Sequence, residues 1–286
     1  MGDAVRRGRG KHYTPARGHM ERLLGALWGG GWGARLWARA PGALGVRAVE
    51  RELRFDRGRP PLRVAFLSDF HVGPTTPTAL LERAVERANA FRPELVLLGG
   101  DYVYLEATPE KLAVLERLIG ALTAPIKIAV FGNHDLWTDH ARIQRALEHG
   151  GARVCVNEAV PLPPPHDDVA VFGLDEPWTG EPCADGCEAA CRGATLRLAL
   201  AHSPDGLAYL TGRGFRVLFA GHTHGGHVAL PGGRPLVLPP GPYSQKLAWG
   251  FHRHGELEVF VSRGLGATEL PARLFAPPDV GLFTLT

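Results

Sequence analysis

From Leu62 onward the chain alternates short apolar runs with segments of helical period, and the change of period predicts its elements. Apolar runs rich in β-branched residues at 62–68, 94–98, 126–131, 152–156, 169–174, 196–201 and 217–220 read as strands. Between them, residues 77–91 place Leu80, Leu81, Ala84, Val85 and Ala88 at the three-and-four spacing of an amphipathic helix, and residues 109–122 repeat the pattern. Strand and helix in alternation predict an α/β fold built on parallel sheet. After Gly225 the texture changes to Gly and Pro punctuation, with extended pieces at 256–261 and 280–285. No repeat or low-complexity linker divides this body. The economical division is one domain at 61–286 preceded by an arm at 1–60, with a Pro-rich loop at 161–165 between strands.

Length and composition fit that picture. At 286 residues and 45% hydrophobic, the chain can bury a full core, which excludes disordered and fibrous classes. The net charge of +3 conceals a division: residues 1–63 hold 14 of the 32 basic and 5 of the 29 acidic residues, a local +9 that leaves −6 for the rest. A basic segment on a mildly acidic body predicts attraction to an anionic surface. Leu23, Leu24, Leu27, Trp28, Trp32, Leu36 and Trp37 interleave with Arg22, Arg35 and Arg39, a composition suited to a membrane interface rather than to nucleic acid. The apolar stretch is interrupted by charge and by three consecutive Gly, too short for the roughly 20 apolar residues of a span. The arm therefore reads as an anchor at the inner face of the cell membrane, the alternative being a helix packed on the body's own surface. Arg6 and Arg7 make a weak twin-arginine match, but no signal-peptide core follows, which disfavours export.

Cys183, Cys187 and Cys191 recur every four residues, which would align them on one helical face. The spacing is not that of a structural zinc site, so incidental small residues are favoured over an accessory metal site or a disulfide.

The candidate chemistry lies at the carboxyl ends of the predicted strands, the edge where open α/β sheets place ligands. Asp69 and His71 follow the first strand, Asp101 the second, and Asn133, His134 and Asp135 the third; His202, His222 and His224 follow two later ones. Five junctions thus deliver carboxylate, imidazole or carboxamide to one edge. Side chains two apart on an extended segment face one way, so Asp69 is expected to join His71, and His222 to join His224. Mixed oxygen and nitrogen donors suit divalent Mn, Fe or Zn. Seven ligands exceed the needs of one ion, and two ions about 3.5–4 Å apart sharing a carboxylate would use them all.

The ordered set Asp69-x-His71, Gly99-Gly100-Asp101, Gly132-Asn133-His134-Asp135, His202 and Gly221-His222-Thr223-His224 resembles the motif set of the calcineurin-like metallophosphoesterase superfamily across residues 62–286. The resemblance implies a four-layer α/β/β/α sandwich with a binuclear metal centre between two sheets. It implies Asp69, His71 and His224 as ligands of one ion, Asp101 as the bridging carboxylate, and Asn133, His202 and His222 as ligands of the other. His134 resembles the His that contacts substrate phosphate, and Asp135 is expected either to orient its ring or to serve the structure. The segments GHTHGGHVALPG and VSRGLGATELPARLFAPPDV resemble the single-domain bacterial branch, which includes membrane-associated UDP-2,3-diacylglucosamine diphosphatases. His227 departs from the Gln expected there.

The implied reaction is hydrolysis of a phosphate ester or pyrophosphate. Two ions would neutralise phosphate oxygens and lower the pKa of a shared water, so that a bridging hydroxide attacks phosphorus near neutral pH. Arg263 is a candidate contact for substrate anion, a fold-closing role being the alternative; His252 and His254 are assigned no chemistry. The arm favours a lipid-linked phosphate such as UDP-2,3-diacylglucosamine over a soluble nucleotide or nucleic acid. A catalytically silent scaffold is disfavoured by the complete ligand set.

Overall fold

The computed structural model describes residues 9–286, so the Arg6–Arg7 pair lies outside the described residues. Fourteen strands are described: β1 (Arg47–Leu53), β2 (Leu62–Leu67), β3 (Leu95–Leu98), β4 (Ile126–Ala129), β5 (Arg153–Val154), β6 (Glu158–Pro161), β7 (Val169–Gly173), β8 (Leu196–Leu200), β9 (Val217–Ala220), β10 (Ala229–Leu230), β11 (Arg234–Pro235), β12 (Gly250–His254), β13 (Leu257–Val261) and β14 (Asp279–Leu285). They form two six-stranded sheets, ordered β1-β14-β2-β3-β4-β5 and β12-β13-β9-β8-β7-β6, with β10 and β11 as a separate pair. The pairs β2–β3, β3–β4, β7–β8 and β8–β9 are parallel. The α/β expectation therefore holds.

The strict alternation of side chains along each strand decides the layers. Val64 and Phe66 of β2 point between the sheets with Leu95, Leu97, Val171, Leu198 and Phe219. Phe66 meets Phe219 at 5.8 Å and Phe260 at 6.0 Å between ring centroids. Ala65 and Leu67, one residue out of phase, face the other way with Val96 and Leu98. There they receive Leu81, Ala84 and Val85 of α3 (Thr78–Ala90), Leu115 and Leu118 of α4 (Pro109–Gly120), and Leu147 of α6 (His140–His149). The far face of the second sheet is covered more thinly, by α7 (Cys187–Ala190), α8 (Leu207–Leu210) and adjoining loops. The result is a helix–sheet–sheet–helix stack.

β1 lies within the stretch assigned to the arm, yet it pairs in parallel with β14 over seven residues at the edge of the first sheet. The part of the arm that stands outside the sheets is therefore shorter than 1–60. It carries α1 (Pro15–Trp28) and α2 (Trp32–Trp37), separated at Gly30 and Gly31. Both glycines have positive φ, 71° and 69°, a conformation that only glycine adopts cheaply and that turns the second helix away from the first.

The segment before α1 is laced to the body. Arg9 makes a bidentate pair with Asp175 at 2.8 and 2.7 Å, the Gly10 N–H donates to Leu136 O, and Trp137 Nε1 donates to Lys11 O. The outer side of the arm leaves Leu23 (72%), Leu36 (59%) and Leu27 (53%) exposed beside exposed Arg22, Arg35 and Arg39. Packing on the body and an unpartnered apolar face thus coexist. Among the described residues no helix is long and apolar enough to cross a membrane.

The cysteines form no shared face. Cys183 is exposed, Cys187 and Cys191 are buried in the core under the second sheet, and all four cysteines are free. The helix there spans only four residues, too few to align three side chains.

Candidate metal centre

The parallel strands β2, β3 and β4 of one sheet and β8 and β9 of the other end at the same rim. Asp69 follows β2, Asp101 follows β3, and Asn133 begins α5 (Asn133–Trp137) after β4; His202 follows β8 and His222 follows β9. The two sheets are stitched at this rim where His222 N–H is accepted by both oxygens of Asp69, at 3.1 and 3.2 Å.

Three groups of donor atoms converge here: Asp69, His71 and His224; Asp101, His202 and His222; and His71, Asp101 and His134. Asp101 Oδ2 lies 3.5 Å from His71 Nε2 and 3.3 Å from His202 Nε2, so one carboxylate oxygen touches both ends of the cluster. Asn133 Oδ1 is 3.2 Å from His202 Nε2, and His222 Nδ1 is 3.1 Å from the same atom. All seven predicted ligands are therefore brought together and buried. His222 and His224 do not grip one point: they divide between the two ends, as the family resemblance implied.

Left-handed backbone recurs at five of these seven residues. Asp69, His71, Asp101, His222 and His224 have φ of 56°, 44°, 56°, 73° and 52°. Non-glycine residues rarely occupy this region, and such strain gathers where the surroundings demand a particular side-chain direction. Close glycines make room for it. A Cβ at Gly132 would collide with the Asp101 carboxylate, and one at Gly221 with Asp69 and Ser68.

The electrostatics suit cations. Burial lowers His71 to about 4 and His222 to about 3, and pushes His134 and His224 well down, so four imidazoles are neutral near pH 7. Burial opposes the charge of Asp101, but His202, His134 and His71 hold its carboxyl well below the usual range. Burial likewise opposes protonation of His202, and the Asp101 charge outweighs it, raising His202 to about 10. His71 Nε2 and His224 Nε2 face each other at 3.1 Å, and only one hydrogen can lie between two such neutral nitrogens. The donors fit divalent ions of the Mn, Fe or Zn type, which would accept the lone pairs together. His202 Nδ1 sits 2.7 Å from Gly99 O, a contact that orients its ring with Nε2 toward the cluster.

The remaining candidates fare differently. The ring of His134 lies beside those of His71, Tyr104 and Trp137 at the wall of a pocket of about 740 Å³. Asp135 does not orient that ring through a hydrogen bond. Its two oxygens accept backbone N–H groups of Asp101, Tyr102 and Gly132 at 2.8–2.9 Å, which fixes the two ligand loops to each other. Arg263 is turned away from the pocket, stacked 3.6 Å over Trp249 and paired with Asp279 at 3.5 Å. It closes the fold. His227 does line the pocket, its Nε2 3.0 Å from Leu270 O.

Arg17 of the arm was not foreseen at the site. Its Nη2 is 3.5 Å from His134 Nε2 and its guanidinium lies 5.0 Å from the Trp137 ring centre. The other pocket walls are largely apolar, including Leu236, Val237, Pro239, Leu270 and Trp178, with Glu269, Thr223 and Thr268 among them. No periodicity marks a contact made across 117 residues.

Residues 62–226 match the calcineurin-like phosphoesterase family. An uncharacterized metallophosphoesterase of Bacillus subtilis strain 168, YkuE, is 28% identical over 78% of each chain. Phosphodiesterase YaeI of Escherichia coli strain K12 is 29% identical over 79% of this chain and 82% of its own. The UDP-2,3-diacylglucosamine pyrophosphatase LpxG of Chlamydia muridarum is 23% identical over 77% of this chain and 82% of its own.

Proposed function

Because the chain belongs to the calcineurin-like phosphoesterase family, and is thus a phosphoester hydrolase, we propose that it works through two divalent ions held by the seven clustered residues. Asp69, His71 and His224 would hold one ion and Asn133, His202 and His222 the other, with Asp101 available to both sets. The single observation that carries this reading is the Asp101 oxygen shared between His71 and His202. When bound, the ions supply Lewis acidity toward phosphate oxygens and a water activated near neutral pH. His134 faces the pocket and, as a neutral imidazole, donates a hydrogen bond to the transferring phosphoryl group. Asp135 keeps the Asp101 and Gly132 loops at their working distance. Hydrolysis of bis-p-nitrophenyl phosphate with added Mn tests the reading. Metal-dependent turnover that disappears in Asp101→Ala is expected, and turnover equal to that variant's overturns it.

The pocket walls favour a substrate with an apolar part. Val237 (75%), Leu236 (56%) and Leu270 (50%) are exposed at the rim, and the arm adds its own apolar face with three arginines. Such a rim suits a lipid-linked phosphate or pyrophosphate reached from an anionic membrane on the cytoplasmic side, where each well-placed basic residue contributes about 1 kcal/mol. The pyrophosphatase activity that LpxG's name records, on a diacyl sugar nucleotide, agrees with this. A soluble phosphodiester is the second reading. Sedimentation with anionic liposomes, alongside hydrolysis of UDP-2,3-diacylglucosamine and of a soluble diester, separates them. Absence of both liposome binding and diacyl cleavage removes the lipid reading and leaves the hydrolase.

A further inference from the structure

We infer that Arg17, carried by the N-terminal arm, is a substrate-binding residue whose guanidinium grips an oxygen of the phosphoryl group beside His134. The inference rests on the phosphoester-hydrolase reading and adds to it that the arm completes the active site.

Four contacts fix the guanidinium. Nε pairs with Glu21 Oε1 at 3.0 Å, one turn along α1, and Nη1 approaches Glu269 Oε1 at 3.5 Å. Its plane lies over Trp137, and Nη2 points at His134 Nε2 from 3.5 Å. The two carboxylates therefore hold the Nε and Nη1 positions and leave Nη2 facing the pocket, which Arg17 lines together with Asp101, Asn133 and His134. A guanidinium nitrogen and an imidazole nitrogen this far apart make a weak bond to each other. Both can reach one anionic oxygen set between them. The stem is mostly buried, with 20% of the side chain exposed, so the group is preorganised rather than swinging in solvent. Glu21 is itself buried and accepts from Tyr13 OH at 3.2 Å, which anchors the turn that carries Arg17. An arginine that served only to dock the arm would need Glu269 and Trp137, yet would not need a nitrogen directed at His134.

The test uses the full chain loaded with Mn. In Arg17→Ala, both KM for bis-p-nitrophenyl phosphate and the calorimetric Kd for inorganic phosphate should rise by about tenfold or more, the range expected for a charge-assisted hydrogen bond. Added guanidinium chloride at low millimolar concentration should recover part of both. Arg17→Lys, which keeps the charge and spares the fold, should shift both in the same direction by less. His19→Ala removes an exposed side chain of α1 that does not line the pocket and leaves the arm's anchors in place, and should change neither by more than twofold. If Arg17→Ala and Arg17→Lys both stay within twofold of the parent, or if His19→Ala reproduces the Arg17→Ala defect, the inference is overturned. Loss of metal-dependent turnover in the parent would instead remove the hydrolase reading beneath it.

Discussion

Asp69 accepts the backbone N–H of His222 with both carboxylate oxygens, tying the carboxyl end of one sheet to that of the other across 153 positions of sequence. The residue proposed to hold metal thus also joins the two halves of the sandwich. Asp69→Ala should therefore cost metal-free stability as well as occupancy. Leaving the His222 N–H buried and unpaired costs about 1–3 kcal/mol. Denaturant unfolding of metal-stripped protein measures it, and an unchanged midpoint would show that the tie carries no load.

Gly132 has a different kind of dependence on its neighbour. A methyl group there would meet the Asp101 carboxylate, which also accepts the His134 N–H at 2.8 Å. Gly132→Ala should displace the shared carboxylate, lower metal content at both positions and reduce kcat/KM by about 10- to 100-fold, the usual scale for disturbing the support of a metal ligand. Metal analysis and kinetics on the same sample check this. Full occupancy with normal kcat/KM would mean the bridge tolerates the shift.

Protons should compete with metal at His202. In metal-free protein its pKa is raised from 6.5 to about 10 by Asp101, against the effect of burial. A raised folded pKa contributes stability that is fully present below about pH 6.5 and is lost as pH climbs toward 10. Metal binding must displace that proton, so affinity should increase as pH rises over the same window. Melting temperatures at pH 7, 8 and 9 should show metal-free protein losing stability while the increment from added Mn grows. An increment that shrinks with rising pH contradicts this.

How much of this was legible in the sequence depends on the range of the interaction. Strands β2, β3, β7, β8 and β9 are nearly continuous apolar runs buried on both faces, and the amphipathic α3 and α4 repeat every three and four residues, so local pattern located them. β1 escaped because an edge strand with Arg47, Glu50, Arg51 and Glu52 exposed carries little apolar signal. The identity of the seven clustered residues was legible, since strand ends deliver them one by one. Their division between two ends was not, because it turns on contacts between loops far apart in sequence, His224 meeting His71 and His222 meeting His202. The role of Asp135 and the absence of Arg263 from the pocket depend on contacts to backbone and to Trp249, which leave no periodic trace. Arg17 needed the path of the whole arm.

The central claim is that two ions act together on one phosphoester, and stoichiometric reactivation addresses it most directly. Metal-stripped protein is titrated with Mn while turnover of bis-p-nitrophenyl phosphate is followed. The account predicts little activity up to the first equivalent, a rise through the second, and a plateau at two per chain. Full activity at one equivalent, or no turnover at any metal concentration, would contradict it.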